Sequence, residues 1–338
     1  MKFKGLLTGV ARLFGRSKSC GQDDLSDLRQ KAEQGDAKAQ FDLGYAYYSG
    51  AGVPQDDKEA VKWFRLAAEQ GHAEAQYNLG YAYALGVGVS QNYAEAAKWH
   101  RLAAEQGYAK AQFDMGVTYD LGEVVPQDYT ESVKWYRLAA EHGEAEAQCK
   151  MGAKYYAGQG VPQDYTEAVK WYRLAAEQGH VKAQLLLGFS YALGEGVSQD
   201  YTESEKWCRL AAEQGNSEAQ CVLGFIYHDG KGVSQDDDEA VKWFRLAADQ
   251  GAVDAQYQLG NAFYLGEGVP QDYTAAVNWY RLAAEQGNAD AQCGLGRAYH
   301  LGEGVSHDDK EAVKWLGLAA EQGHSGARTS LDWGRFSR

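Results

Sequence analysis

Eight tryptophans recur every 36 residues along this chain: Trp63, Trp99, Trp135, Trp171, Trp207, Trp243, Trp279 and Trp315. No insertion or deletion breaks the register. A period of that length implies stacked supersecondary units, each packing mainly on its neighbours, rather than one globular core. Glycine keeps the same step, from Gly71 through Gly107, Gly143, Gly179, Gly215, Gly251 and Gly287 to Gly323. Counted from Ala39, eight full copies run to residue 326. Arg29 to Gly35 matches the end of a further unit, and Ala327 to Trp333 the start of another. Residues 23–38 and 327–338 are therefore expected to be partial repeats that cap the array.

Each unit reads as two helices. The first runs through Ala39-Gln40-Phe41-Asp42-Leu43-Gly44-Tyr45-Ala46-Tyr47 and stops near Gly50, where glycine recurs in every copy. A left-handed C-terminal residue would require that glycine. After a short loop, Asp56 opens the second helix with Glu59 three residues on. The spacing predicts a capping box, with Asp56 taking orphan amides and Glu59 reaching back. Only Asp272 lacks the glutamate, having Ala275 instead. Ala60, Trp63, Phe64 and Ala67 fall on one face at i, i+3, i+4 and i+7. Stacking is expected to bury all eight tryptophans in one continuous core, with Leu43 and Tyr47 filling the space between helices. Val124 replaces the loop glycine found at Gly52 and Gly88, so the third loop is expected to bend differently.

The pattern Ala-Gln-x-x-Leu-Gly-x-x-Tyr, Gly-x-Gly-Val, Asp-x-x-Glu-Ala, Lys-Trp-x-x-x-Ala-Ala, Gly resembles the Sel-one-like repeat family, a cousin of the tetratricopeptide repeats. The resemblance covers about 85 per cent of the chain. It implies an all-α fold: a right-handed α/α superhelical solenoid of eight 36-residue helix-turn-helix repeats. It also implies that the first helices line a concave surface. Members of that family serve as protein-binding adaptors, and some have been credited with β-lactam binding or hydrolysis.

With Leu43 and Tyr47 taken as the core direction, Phe41, Tyr45 and Tyr48 point the other way at 100° per residue. The earliest of these three columns is Phe41, Tyr77, Phe113, Cys149, Leu185, Cys221, Tyr257 and Cys293, and it is assigned mostly to packing between repeats. The other two columns supply the candidate partner-binding groove: Tyr45, Tyr48, Tyr81, Asp120, Tyr156, Phe189, Phe225, His228, Asn261, Tyr264, Arg297 and His300.

Signs of catalysis or metal binding are weak. No His-x-x-x-His or Cys-x-x-Cys occurs, and the repeated Gly-x-Gly lacks the third glycine and preceding strand of a dinucleotide site. His72, His180 and His324 share one column and read as turn residues. No catalytic residue, metal ligand or cofactor is assigned. Of the five cysteines, Cys20, Cys149, Cys208, Cys221 and Cys293, only Cys208 and Cys221 are placed to pair. Their irregular spacing favours a reducing compartment.

The net charge is −14. The first 20 residues hold five basic groups and no acidic one, so the remainder carries −19. Such a body repels phosphate backbones, which argues against nucleic acid as a partner. Residues 1–22 read as a basic amphipathic leader, with Phe3, Leu6, Leu7, Val10, Leu13 and Phe14 on one face. Through residues 1–18 it offers a peripheral membrane contact. Its plainer reading is a frayed or docked end. A cytoplasmic protein-protein interaction scaffold is the first expectation. A periplasmic, secreted or membrane-peripheral envelope or host-interaction factor is the alternative, and a β-lactam-binding hydrolase stands third.

Overall fold

The structure, a computed structural model, describes residues 22–333. The basic leader up to residue 21 lies outside the described residues. The chain divides into two compact units, the first ending at Gln163 and the second starting at Asp164. The first holds α1 (Gln22–Glu33), α2 (Ala37–Ser49), α3 (Asp57–Glu69), α4 (Ala73–Leu85), α5 (Tyr93–Glu105), α6 (Ala109–Leu121), α7 (Tyr129–Glu141) and α8 (Ala145–Ala157). The second holds α9 (Tyr165–Glu177), α10 (Val181–Leu193), α11 (Tyr201–Glu213), α12 (Ser217–Asp229), α13 (Asp237–Asp249), α14 (Val253–Leu265), α15 (Tyr273–Glu285), α16 (Ala289–Leu301), α17 (Asp309–Glu321) and α18 (Ser325–Trp333). Among the described residues there are 18 helices and no strand. Within each unit, helices pack mainly on their sequence neighbours, as an α-solenoid requires.

Local chemistry sets the helix ends. The first helix of each repeat stops on a left-handed glycine, with φ 72° at Gly50 and 73° at Gly86. The second helix starts where Asp56 Oδ1 accepts the Lys58 and Glu59 amides, both at 3.0 Å. The capping box is only half built, however. The Asp56 amide donates to Tyr47 O at 3.0 Å, so nothing is left for Glu59 to satisfy. The glutamate column turns outward to lysine instead, as in Lys62–Glu59 at 2.6 Å. Glu203, Glu239 and Glu311 also accept from the indole nitrogens of Trp207, Trp243 and Trp315. His72, His180 and His324 are N-caps: Nδ1 accepts the amide three residues on, at 3.3, 3.1 and 3.0 Å.

The tryptophans are less buried than their spacing suggests. Trp99, Trp207 and Trp243 are buried, whereas Trp63, Trp135, Trp171, Trp279 and Trp315 are only half-buried. The next residue along is buried in all eight copies: Phe64, His100, Tyr136, Tyr172, Cys208, Phe244, Tyr280 and Leu316. In seven of these copies the side chain faces a glycine on the partner helix within the same unit, and the contact is tight. A β-carbon on Gly80 would lie 2.1 Å from His100 Cδ2, and one on Gly224 would lie 2.4 Å from Phe244 Cδ1. Trp99 instead joins the core cluster of Phe64 in the preceding helix pair, and Trp243 joins that of Cys208. The buried residues group into repeat-sized clusters, and neighbouring clusters share half-buried side chains such as Tyr47, Tyr227 and Phe263.

Tyr47 packs against two neighbouring core clusters, filling space as expected, and it has a second role. Its column lies half-buried and receives an arginine from 18 residues upstream, as in Arg65–Tyr83 at 2.7 Å and Arg101–Tyr119 at 2.6 Å. Each such bond joins the second helix of one repeat to the first helix of the next. A buried glutamine column adds a second tie. Gln76 Nε2 donates to Ala68 O at 3.1 Å, and its Oε1 accepts from Gln106 at 2.7 Å. Val124 takes no positive φ, whereas Gly88 and Gly160 sit at 68° and 76°. The third loop therefore runs differently from its neighbours.

Candidate functional site

The first helices carry the candidate groove columns, and the structure gathers three of those residues into one place. Tyr45 and Tyr48 on α2 and Tyr81 on α4 line a cleft of about 370 Å³ in the first unit, together with Phe64 and Tyr77. Helical spacing brings them together: Tyr45 and Tyr48 lie one turn apart, and Tyr81 lies one repeat beyond Tyr45. Tyr77 packs edge-on to Tyr81 at 4.8 Å and tilted against Tyr108 at 4.9 Å. The same cleft is lined by the carboxylates of Asp42, Asp57 and Glu74 and by Lys110. Partial burial raises the Asp42 pKa, with Lys38 and His72 opposing the shift.

The remaining candidates are dispersed. Asp120 is bound by Lys154, a lysine only 5% exposed that lies 4.4 Å from the Tyr129 ring centre. Tyr156 is exposed, and Phe189 is half-buried. Phe225 packs edge-on against Phe244 at 5.1 Å. His228 and Asn261 share a smaller cavity of about 100 Å³. Asn261 accepts from the Tyr280 hydroxyl at 2.7 Å. Tyr264 donates to Glu303 at 2.8 Å, and Arg297 is exposed. His300 Nδ1 lies 2.9 Å from Asp309 Oδ1. In the earliest column, Tyr77, Cys149, Leu185 and Cys293 are buried between helices.

Two clusters escaped sequence reasoning. Behind Tyr81, His100 and Asp114 are nearly sealed from water, with Nδ1 and Oδ2 3.7 Å apart. His100 also stacks on Tyr77 at 5.3 Å. Burial pushes the imidazole down to about 4 and the carboxyl up to about 7, although the Tyr81 hydroxyl pulls the latter partly back. Both groups are thereby driven toward their neutral forms. His100 Nε2 and Asp114 Oδ2 have no hydrogen-bond partner. The signal was present in the sequence: His100 stands in a column otherwise filled by Phe, Tyr, Cys and Leu. The second cluster is His300, His307 and Asp309, whose ligand atoms all lie within 4.8 Å of one another.

The described cysteines, Cys149, Cys208, Cys221 and Cys293, are free thiols, so Cys208 and Cys221 do not pair here. Burial pushes both of those thiols up to about 12. Neither is an activated nucleophile. No helix among the described residues is long and apolar enough to cross a membrane.

Comparison with known proteins follows the same repeat. Eight consecutive stretches match the Sel1 repeat family, from residues 37–72 to 289–324. Over 62 residues the chain is 44% identical to the secretory immunoglobulin A-binding protein EsiB of Escherichia coli, a match covering 18% of this chain and 12% of that protein. The chain thus spans about an eighth of that curated relative. Its fold resembles the crystal structure of a protective antigen with an SLR fold, present in uropathogenic Escherichia coli strains. That likeness has a TM-score of 0.88 and 42% identity, covering 92% of this chain and 67% of the other. A Sel1 repeat protein from Oxalobacter formigenes is similar over 98% of this chain and 99% of its own, with a TM-score of 0.69 and 35% identity.

Proposed function

The chain belongs to the Sel1 repeat family, and on that premise we propose that it is a non-catalytic scaffold holding an extended segment of a partner protein against its first-helix columns. Repeats of this kind generally mediate protein–protein contacts. The observation that carries the reading is the tyrosine-lined cleft of the first unit. A concave, largely aromatic site with a few polar groups at its rim suits an inserted side chain. Tyrosine supplies large contact area at little conformational cost. The carboxylates of Asp42, Asp57 and Glu74 outnumber Lys110, which favours a segment carrying basic as well as apolar side chains. The candidates in the second unit, from Phe189 to His300, extend the same function along the array.

Affinity capture with mass spectrometry tests this. A variant combining Tyr45→Ala, Phe225→Ala and Arg297→Glu should lose partners that the wild-type chain retains, with its circular dichroism unchanged. An identical capture profile from a folded variant would defeat the groove reading. Catalysis is not part of the proposal, and measurable nitrocefin turnover by the purified chain would overturn that part.

The match to a protein named for binding secretory immunoglobulin A favours one further reading, a surface or secreted host-interaction factor. The basic leader would bear on it. Sequencing the mature N-terminus and fractionating cells decide between export, tethering through residues 1–18 and a cytoplasmic location.

A further inference from the structure

We propose that His300, His307 and Asp309 form a binding site for a divalent transition-metal ion of the zinc class. The three residues fall within a segment of ten residues, and the fold makes them converge. His300 is in the last turn of α16, His307 is in the loop that turns the chain back, and Asp309 is the first residue of α17. His300 Nδ1 lies 2.9 Å from Asp309 Oδ1, and His307 Nε2 lies 3.3 Å from that same oxygen. The two imidazole rings are 6.1 Å apart between centres.

Those separations suit a metal. Ligand bonds of about 2.0–2.2 Å in tetrahedral geometry put neighbouring donor atoms about 3.3–3.6 Å apart. Both histidine–aspartate distances are already close to this, and the third separation is at most 4.8 Å. The histidine–histidine gap is therefore the main one to close, and both side chains are about half exposed at the end of a loop. Two imidazoles with one carboxylate select zinc, nickel or copper over magnesium or calcium, which take oxygen ligands. Three protein ligands leave a fourth position for water.

The repeat provides an internal comparison. One hydrogen-bonded pair of the same kind stands two repeats earlier, with His228 Nδ1 2.8 Å from Asp237 Oδ1. There the residue matching His307 is Gln235. Seven of the eight copies have glutamine at this position. In several of them its amide ties the loop back to the first helix, as in Gln91–Ala84 O and Gln199–Ala192 O, both 2.8 Å. His307 gives up that tie and turns toward Asp309. A histidine–aspartate pair needs two residues, and the third is what turns the pair into a chelate.

Isothermal titration of the full chain with ZnCl₂, after EDTA treatment and desalting, tests the site. One zinc ion per chain should bind with micromolar or tighter affinity and raise the melting temperature. CaCl₂ at the same concentration should do neither. His307→Gln restores the residue of the other seven copies, so the fold should be preserved while zinc affinity falls at least tenfold. Gln235→His should add a second zinc equivalent beside His228 and Asp237. Unchanged zinc binding in His307→Gln, zinc binding only at millimolar concentration, or calcium binding as tight as zinc would each overturn the proposal.

Discussion

His100 Nδ1 and Asp114 Oδ2 face each other at 3.7 Å across the boundary between two repeats, nearly sealed from water and too far apart to hydrogen-bond. Each is a polar group in an aromatic surround, and each has an atom without a partner. Such groups cost stability when left unsatisfied. The pair is therefore a weak point in the repeat core, directly behind the cleft that includes Tyr81.

Replacing the histidine should strengthen the fold. His100→Phe installs the residue found at Phe64 and Phe244, where glycine on the partner helix already accommodates the ring. It removes the unsatisfied Nε2 and should raise unfolding free energy by about 1–3 kcal/mol at neutral pH. Denaturant melts of the two proteins provide the check. A loss of stability would mean that the histidine is held by something other than its burial.

The pH dependence of the same pair has two opposed signs. His100 titrates near 4 in the fold against an ordinary 6.5, so its contribution is present above 6.5 and lost as pH falls toward 4. Asp114 titrates near 7 against 3.8, so its contribution is present below 3.8 and lost as pH rises through 7. In the wild-type protein the two slopes oppose each other between about pH 4 and 6.5. Relative to wild type, His100→Phe should gain stability as pH falls from 7 to 4, and Asp114→Asn should lose it. Parallel profiles in all three proteins would remove the titration argument.

Loop glycines should differ in what they tolerate. A β-carbon on Gly88 would lie 2.2 Å from Asp57 O, whereas one on Gly107 would meet nothing within 4 Å. Both sit at positive φ. Gly107→Ala should cost about 1–2 kcal/mol from backbone strain alone. Gly88→Ala adds a backbone collision and should cost about 2–5 kcal/mol. Equal losses in thermal melts would show that the repeat contact at Gly88 gives way freely.

The arginine–tyrosine ties make a paired prediction. Tyr83→Phe removes the acceptor for Arg65 and should cost about 0.5–1.5 kcal/mol. Phe263 stands in the same column, with Arg245 5.7 Å from its ring centre and no hydroxyl to bind. Phe263→Tyr should stabilise the chain by a similar amount, as read from the denaturation midpoint. No change in either variant would reduce the tie to a surface contact.

How much of this was legible beforehand depends on the span of each interaction. The repeat register, the glycine stops at Gly50 and Gly86 and the Asp56 cap could be read directly, because each depends on residues within one turn or one period. The cleft was half legible. Column spacing picked out Tyr45, Tyr48 and Tyr81, but not the carboxylates that edge it or the His100–Asp114 pair behind it.

By itself, the sequence determined the helices, their ends and the 36-residue step between them, since local backbone preference and periodicity fix these. Tertiary structure alone decided which side chains meet between repeats. It put the column after tryptophan, rather than tryptophan itself, against the glycines, and it set Arg65 on Tyr83 and Lys154 on Asp120. It also brought His307 round to His300 and Asp309. The reason is geometric. One helix pair leaves many side-chain directions open, and only stacking the next pair, with its close glycine contacts and its returning loop, selects among them.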